Sequence, residues 1–235
     1  MKHPLRTILD EVEARRAERP VVIFDLDGTL YDNRPRTIRI VHAFAASLPP
    51  ERAKDAAILR ALRDSHLKYR LDDTLRPLGV SEETIEAATK RWRERFFTDT
   101  ACADDVPHRG AVPFVRACFD RGATVVYLTG RDIPGMLLGT VRTLRDDGFP
   151  IGQPRISLVL KPTFEEPDTE FKVRMLPAMG ELGRVVATFE NEPGNANLFH
   201  RAWPDSHAVL VETQYAPGAP PLDARCVRVP HFELD

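Results

Sequence analysis

The sequence predicts an α/β protein in which an open parallel sheet is flanked by helices and an α-helical domain is inserted. The first observation is that short, almost continuously apolar runs recur along the chain, which is typical of strands covered by helices on both faces. The second is that helical patterns between these runs end just before glycines, which readily adopt the left-handed conformation at a helix C-terminus. Strands and helices that alternate in this way favour an open parallel sheet.

The predicted elements follow one another in the order that this architecture requires. Five apolar runs are predicted as strands, at 21–26, 123–129, 156–160, 184–189 and 207–212. Helices are predicted before or between the later strands, at 112–121, 135–147 and 169–179. Residues 214–224 are predicted to form a proline-rich surface loop.

A long helical stretch separates the first predicted strand from the second. Residues 34–107 contain no convincing strand pattern, and helical patterns cover most of their length, at 37–48, 51–71 and 81–97. We therefore predict a discontinuous α/β core made of residues 1–33 and 108–235, with a helical domain inserted at 34–107.

Composition narrows the classes of function. The 235 residues are 43% hydrophobic and carry a net charge of −2 without long runs of like charge, so we expect neither a nucleic-acid partner nor a membrane surface. The three cysteines, Cys102, Cys118 and Cys226, are odd in number and widely spaced, which favours a reducing compartment over a disulfide framework. No secretory signal and no run of about 18 apolar residues is found, and a cytoplasmic protein is expected.

Two carboxylates at the end of the first predicted strand are candidates for chemistry. Asp25 and Asp27 are two residues apart, so both side chains project to the same side at the edge where open α/β sheets bind ligands. Two carboxylates this close need a cation, or one of them must hold a proton. Gly28 permits a tight turn immediately afterwards. The alternative interpretation is that the pair merely caps a following helix.

Three other segments carry polar residues at the ends of predicted elements. Thr129, Gly130 and Arg131 follow the second strand, where a hydroxyl, a main-chain N–H and a guanidinium could bind phosphate oxygens. Lys172 lies near the start of a helix, a position that disfavours a cation unless a negative charge lies nearby. Each segment taken alone also fits an ordinary turn or a solvated surface.

The segment after the strand at 184–189 contains oxygen ligands suited to a hard metal ion. Glu190 and Asn191 offer a carboxylate and an amide oxygen, and Mg²⁺ is commonly held by one or two carboxylates together with waters and a substrate phosphate. The alternative is an acidic turn that caps the following helix, with Pro193 in its first turn.

Taken together and in this order, the segments resemble the four motifs of the haloacid dehalogenase-like (HAD) hydrolase superfamily. The segments that carry the resemblance are FDLDGTL around Asp25 and Asp27, Thr129-Gly130-Arg131, Lys172, and Glu190-Asn191. The resemblance spans about residues 21–212 and implies a HAD core, a Rossmann-like parallel sheet flanked by helices, with a helical cap inserted just after the first motif. It also implies an Mg²⁺-dependent phosphatase that acts on a small phosphorylated molecule.

The resemblance implies a role for each residue of the motifs. Asp25 would attack phosphorus and form an aspartyl-phosphate, while Asp27 would protonate the leaving oxygen and then deprotonate the hydrolytic water. Thr129, with Gly130 and Arg131 beside it, would bind phosphoryl oxygens. Lys172 would neutralise the charge on the transferring group.

For the metal, the resemblance implies Mg²⁺ bound by the Asp25 carboxylate and the Asp27 main-chain carbonyl, with Glu190 and Asn191 around it. The division of Glu190, Asn191 and Glu192 between direct ligands and supporting residues stays open, because the fourth motif is usually richer in aspartate. Lys161 is a rival to Lys172 for the third motif; we prefer Lys172 because its helix leads directly into the strand that ends at Glu190.

Other functions remain open at this stage. A phosphotransferase or mutase would use the same motifs with an acceptor other than water, and the segment DTEFK also resembles HAD members that act on nucleic-acid ends. A binding protein without catalysis would fit the neutral Asn191. In the inserted domain, the side chains that could reach a leaving group, or equally could be solvated helix ends, are Arg70, Asp72, Asp73 and Arg76.

Overall fold

The computed structural model describes residues 3–234. Its strands, in chain order, are β1 (Pro20–Phe24), β2 (Tyr31–Asp32), β3 (Val106–Pro107), β4 (Thr124–Asp132), β5 (Ile156–Lys161), β6 (Arg184–Glu190), β7 (His207–Val211) and β8 (Val227–Val229). Its α-helices are α1 (Pro4–Ala14), α2 (Arg34–Ala46), α3 (Ala53–Ala61), α4 (Leu71–Leu75), α5 (Glu82–Phe96), α6 (Ala111–Asp120), α7 (Ile133–Asp146), α8 (Asp168–Glu181) and α9 (Pro193–Ala202).

Six of these strands form one sheet, in the order β5-β4-β1-β6-β7-β8. Every neighbouring pair in this sheet is parallel, which confirms the predicted α/β class. The five predicted strands are present, whereas β8 was not predicted because its three residues are too short to give a sequence signal. Because β1 lies between β4 and β6, the carboxyl ends of these three strands meet at one edge of the sheet.

The two faces of the sheet explain why its strands are apolar without alternation. On β1, Val22 and Phe24 pack into a core with residues of α1 and α6. Val21 and Ile23 point to the other face and pack with residues of α8 and α9. Successive side chains of a strand point to opposite faces, so a strand that is covered on both faces needs an apolar residue at every position.

Helices α2 to α5 lie between β2 and β3, and we call residues 34–96 the helical insertion. The insertion has an apolar core of its own, which includes Val41, Leu59, Leu75 and Ile85. β2 and β3 pair in antiparallel fashion and hold the outgoing and returning chain side by side. The expectation that 34–107 contains no strand is therefore wrong at its end, because β3 lies at Val106–Pro107.

The single helical pattern over 51–71 is also corrected. Helix α3 ends at Ala61, Leu62 is extended with ψ 141°, and a short 3₁₀ turn follows before α4 begins. The main-chain carbonyl of Leu62 lies 3.2 Å from Nε2 of His42 on α2, and the Leu62 side chain is buried in the core of the insertion. These contacts come from tertiary packing, which periodicity within the segment does not report.

Among residues 3–234, no helix is both long and apolar enough to cross a lipid bilayer.

Candidate active site

A cavity of about 740 Å³ lies between the carboxyl edge of the sheet and the helical insertion. The sheet side is polar, and its lining residues include Asp25, Asp27, Gly130, Arg131, Lys172, Glu190 and Asn191. The opposite wall is largely apolar and aromatic, formed by insertion residues and the residue just after them, namely Leu67, Tyr69, Leu71, Trp92, Phe96 and Phe97. A phosphorylated ligand could therefore place its charged group against the sheet and its remaining part against the insertion.

The turn after β1 brings Asp25 and Asp27 to this cavity. The carbonyl of Leu26 accepts the main-chain N–H groups of Thr29, Leu30 and Tyr31 at 2.9–3.1 Å, so the chain reverses at once. Gly28 adopts φ +78°, and a Cβ there would lie 2.4 Å from Nδ2 of Asn191. Both the backbone conformation and the close approach of Asn191 therefore require glycine at this position.

Lys172 lies among three carboxylates beneath the cavity. Its Nζ is 3.0 Å from Oδ1 of Asp25, 2.5 Å from Oε1 of Glu190 and 3.2 Å from Oδ2 of Asp168. The side chains of Lys172, Asp25 and Glu190 are at most 7% exposed. This cluster joins the end of β1, the first turn of α8 and the end of β6, which sequence order alone left apart.

Burial and charge act against each other in this cluster. Burial raises the pKa of Asp25 well above its ordinary value, and the charge of Lys172 offsets this only in part, because Glu190 and Asp168 add to the rise. Burial also raises the pKa of Glu190. The pKa of Lys172, which burial alone would lower, is raised by the surrounding carboxylates. One ammonium thus serves three carboxyl groups, and burial favours the protonated form of the two deepest ones, Asp25 and Glu190.

Lys161 has different surroundings from Lys172. Its Nζ donates hydrogen bonds to the main-chain carbonyls of Phe164 and Glu166, at 3.0 and 2.8 Å. These contacts hold the loop after β5 and do not reach Asp25. Of the two rival lysines, the structure therefore places Lys172 beside Asp25.

Glu190 is fully engaged by protein donors. Its Oε1 accepts from Lys172 and from Nδ2 of Asn195, and its Oε2 accepts from the main-chain N–H groups of Asn191 and Glu192 at 3.1 and 3.2 Å. Four donors fill the four acceptor sites of a carboxylate. In this arrangement Glu190 orients Lys172 and the turn that carries Asn191, rather than offering an oxygen to a metal ion.

The side chains around Asp25 fit a hard divalent cation with few protein ligands. Among the described residues, no group of three or more His, Cys, Asp and Glu side chains is arranged to hold a metal ion. Candidate oxygen ligands on residues that line the cavity are the Asp25 carboxylate, the Asp27 main-chain carbonyl and Oδ1 of Asn191. Nδ2 of Asn191 donates to the carbonyl of Gln214 at 2.7 Å, and its Oδ1 accepts from Oγ1 of Thr29 at 3.4 Å. This all-oxygen set suits Mg²⁺, which keeps several waters and a substrate phosphate in its shell, and a nearby divalent cation would favour the ionised form of Asp25.

Asp27 and Arg131 are bound to each other. Nε and one terminal nitrogen of Arg131 donate to the two carboxylate oxygens of Asp27 at 2.9 and 2.8 Å, and Arg36 of α2 contacts the same carboxylate at 3.2 Å. Burial alone would raise the pKa of Asp27, but the charges of Arg131 and Arg36 outweigh it and hold this pKa well below its ordinary range. Asp27 is therefore ionised in this arrangement.

The three residues near the end of β4 that were predicted to bind phosphate have different surroundings in the structure. The guanidinium of Arg131 donates to Asp27, to Asp105 and to Oγ1 of Thr140, and its part in binding phosphate stays a prediction. Gly130 lines the cavity. Thr129 is buried just below, where its Oγ1 accepts the main-chain N–H of Arg131 at 3.3 Å.

Sequence reasoning missed four residues that complete the site. Asp168 contacts Lys172, Asn195 bonds Glu190 and Asp168, and Arg36 and Asp105 form an ion pair behind Asp27. Asp168 had a sequence signal, since it lies four residues before Lys172 on one helix face. The other three had no sequence signal, because their contacts form only in the folded chain: Asn195 bonds Asp168 27 residues away, and Arg36 pairs with Asp105 69 residues away.

The charged residues of the insertion that were considered for leaving-group contacts lie elsewhere. Arg70 pairs with Asp72 at 3.0 Å and with Asp73, and Arg76 pairs with Glu82 at 2.9 Å. None of the four candidate side chains is among the residues that line the cavity.

Comparison with known proteins identifies the fold. No protein-family model and no curated protein sequence matches the chain. Among solved structures, a provisionally named phosphatase from Clostridium difficile is 14% identical, with a TM-score of 0.53 over 83% of this chain and 86% of its own. The protein tyrosine kinase A of Mycobacterium tuberculosis is 17% identical, with a TM-score of 0.54 over 90% and 93%.

A further similar structure is a provisionally named haloacid dehalogenase-like hydrolase from Burkholderia xenovorans. It is 17% identical, with a TM-score of 0.52 over 92% of this chain and 94% of its own. The chain therefore has the fold of the HAD-like hydrolases, and the resemblance drawn from its motifs is confirmed at the level of the fold.

Proposed function

We propose that this protein is an Mg²⁺-dependent phosphomonoester hydrolase of the cytoplasm that works through an aspartyl-phosphate on Asp25. The observation that carries the proposal is the position of Asp25: it lies at the base of the cavity, 3.0 Å from Lys172 and two residues before the ionised Asp27. A buried carboxylate beside an ammonium is a suitable nucleophile for phosphorus, because the lysine also neutralises charge on the transferring group.

In the first half of the proposed reaction, Asp25 is the nucleophile and Lys172 stabilises it. Asp25 attacks phosphorus with a carboxylate oxygen, and the bond from phosphorus to the leaving oxygen breaks. Lys172, held in place by Glu190 and Asp168, remains beside the reacting carboxylate throughout. When bound, Mg²⁺ would supply further positive charge against the phosphoryl oxygens, with Asp25, the Asp27 carbonyl and Asn191 as its ligands.

Asp27 is suited to the second half of the reaction. An ionised carboxylate at the cavity can accept the proton of the water that hydrolyses the intermediate. Its part in protonating the leaving oxygen requires that it first take up a proton. The anionic substrate favours that uptake, since a neighbouring negative charge raises the pKa of a carboxyl group.

The cavity favours a small substrate. Its volume of about 740 Å³ and its aromatic wall, including Tyr69, Trp92 and Phe97, suit one phosphate group attached to a compact, partly apolar leaving group. The three cysteines are unpaired and buried, which supports a reducing compartment.

Hydrolysis of 4-nitrophenyl phosphate tests the proposal. We expect turnover with Mg²⁺, loss of turnover in EDTA, and loss of at least about 10³-fold in kcat for Asp25→Asn, which removes the nucleophile. Asp146→Asn is the matched control, because Asp146 is exposed on α7 and outside the cavity.

Acid-quenched wild-type protein should carry one phosphoryl group on the peptide that contains Asp25, as read by mass spectrometry. A folded, Mg²⁺-loaded protein that turns over no member of a broad panel of phosphate esters would contradict the proposal and favour a binding protein without catalysis. Phosphate transfer to an added acceptor, with little release to water, would instead indicate a phosphotransferase.

A further inference from the structure

A buried cluster of two arginines and two aspartates lies behind the candidate active site. Asp105 accepts from Nε of Arg36 at 2.8 Å and from Arg131 at 2.7 Å, and both guanidiniums also contact Asp27. The side chains of Arg36, Arg131 and Asp105 are at most 1% exposed, whereas that of Asp27 is 28% exposed and lines the cavity. The cluster is electrically neutral and reaches the cavity mainly through Asp27.

The two oxygens of Asp27 are held unequally. Oδ1 accepts from three donors: Arg131 at 2.8 Å, Arg36 at 3.2 Å and Nδ2 of Asn33 at 3.4 Å. Among the described residues, Oδ2 accepts only from Nε of Arg131, at 2.9 Å. Oδ1 is thus fixed in place, and Oδ2 keeps a lone pair that can accept a proton from a water molecule.

Two residues of this cluster lie at the two chain connections between the sheet and the helical insertion. Arg36 lies in the first turn of α2, where the chain enters the insertion, and Asp105 lies just before β3, where the chain returns. Arg36 is further fixed by the carbonyl of Phe96 at 3.3 Å and by the Phe96 ring, 4.3 Å from its guanidinium carbon. The insertion and the sheet therefore both determine where the carboxylate of Asp27 lies.

We propose that Arg36, Arg131 and Asp105 are positioning residues that aim Oδ2 of Asp27 at the water that hydrolyses the phosphorylated Asp25. This inference rests on the proposed function. In the step, the water oxygen bonds to phosphorus and the bond from phosphorus to the Asp25 oxygen breaks. The water proton passes to Oδ2 of Asp27, inorganic phosphate leaves, and the Asp25 carboxylate is restored.

The choice of substrate isolates this step. With 4-nitrophenyl phosphate the leaving group departs as a stable anion, so the first half of the reaction needs no proton from Asp27. Displacing Asp27 should then slow only the water step. A positioned general base contributes about 10²–10⁴-fold, so we expect kcat to fall about 100-fold while kcat/KM, which reports the first half, changes by less than about 3-fold.

The main variant is the double substitution Arg36→Gln/Asp105→Asn, which removes one positive and one negative charge and keeps the cluster neutral. Arg36→Lys is the second variant: it keeps the positive charge, but a single ammonium cannot replace the planar fork that contacts both carboxylates. The matched control is Arg39→Gln/Asp104→Asn. In this pair, 2.6 Å apart, Arg39 is exposed and Asp104 is partly buried. It likewise joins α2 to the segment before β3, one helical turn from Arg36, and does not contact Asp27.

In both Arg36 variants we expect phosphorylated Asp25 to accumulate during steady-state turnover, because kcat falls while kcat/KM is preserved. The Arg39/Asp104 control should show no change in either kinetic parameter. Asp27→Asn should give the same signature. A parallel fall in kcat and kcat/KM without accumulation of the phosphorylated protein would overturn the inference, because it indicates a general structural defect. Absence of turnover in the wild type would instead contradict the proposed function itself. Thermal melting identifies a variant that fails to fold. The kinetics of the other Arg36 variant then test the inference.

Discussion

Lys172 is the residue whose replacement tests the electrostatics of the site most directly. Lys172→Met keeps an unbranched side chain of similar length and removes the ammonium that lies within 3.2 Å of three carboxylates. Two of these carboxylates, Asp25 and Glu190, are almost completely buried. The substitution therefore leaves two buried carboxylates without this counter-charge.

The size of the effect follows from burial. Removing one partner of a buried ion pair costs about 3–5 kcal/mol, and Lys172 serves two buried carboxylates, so we expect the upper end of this range at pH 8. For a chain of this length, about 1 kcal/mol corresponds to a change of roughly 2–4 °C in Tm. The Tm of Lys172→Met should therefore lie roughly 10–20 °C below that of the wild type at pH 8.

The loss should depend on pH in a definite direction. In the wild type, burial already raises the pKa of Asp25 and Glu190, and Lys172 opposes this rise. Without Lys172 both pKa values move further above those of the unfolded chain, so the folded variant binds more protons. For a carboxyl group whose pKa is higher in the folded than in the unfolded protein, the free energy of unfolding falls as pH rises from the unfolded pKa to the folded pKa. The fall is about 1.4 kcal/mol per pH unit for each extra proton that the folded protein binds. We expect the difference from wild type at pH 5 to be less than half of that at pH 8.

Calorimetry in EDTA at pH 5 and pH 8 measures this difference. Lys161→Met is the matched control, because Lys161 is also nearly buried but donates to two main-chain carbonyls, which do not titrate in this range. Its loss of stability should be the same at both pH values. An equal, pH-independent loss in Lys172→Met and Lys161→Met would refute the reasoning, as would full phosphatase activity in Lys172→Met.

Two further predictions concern the turn after β1 and the residue packed against it. Asn191→Leu should raise the Mg²⁺ concentration for half-maximal activity by about 10-fold or more, because the amide oxygen is a candidate ligand; a metal titration that gives an unchanged midpoint would exclude this oxygen. Gly28→Ala should lower the free energy of unfolding in urea by more than the ~1–2 kcal/mol of a left-handed alanine, because its Cβ would lie 2.4 Å from Asn191. Gly218→Ala has the same φ of +78° in open space, so an equal loss in both variants would show that the approach of Asn191 carries no cost.

Several parts of the fold and of the site were predictable from sequence because their causes are local. Apolar runs without alternation indicate strands buried on both faces, and β1, β4, β5, β6 and β7 lie where such runs occur. In a parallel sheet the carboxyl ends of adjacent strands lie at one edge, so the order of the motifs predicted that Asp25, Gly130 and Asn191 line one cavity. The break in the helix at Leu62 was not predictable from periodicity, because the contact there is tertiary: the Leu62 carbonyl lies 3.2 Å from Nε2 of His42 on another helix.

The sequence by itself determined which residue types meet at the edge of the sheet, and the tertiary structure alone decided what each of them contacts. Arg131 was predicted to bind phosphate, and in the structure its guanidinium donates to Asp27 and Asp105, which lie 104 and 26 residues away. Glu190 was predicted to lie around the metal, as a direct ligand or a supporting residue, and in the structure four protein donors contact its oxygens. A side chain has a limited number of donors and acceptors, and burial requires that each be satisfied. Which partner satisfies them depends on distances between segments far apart in sequence, and those distances exist only once the chain has folded.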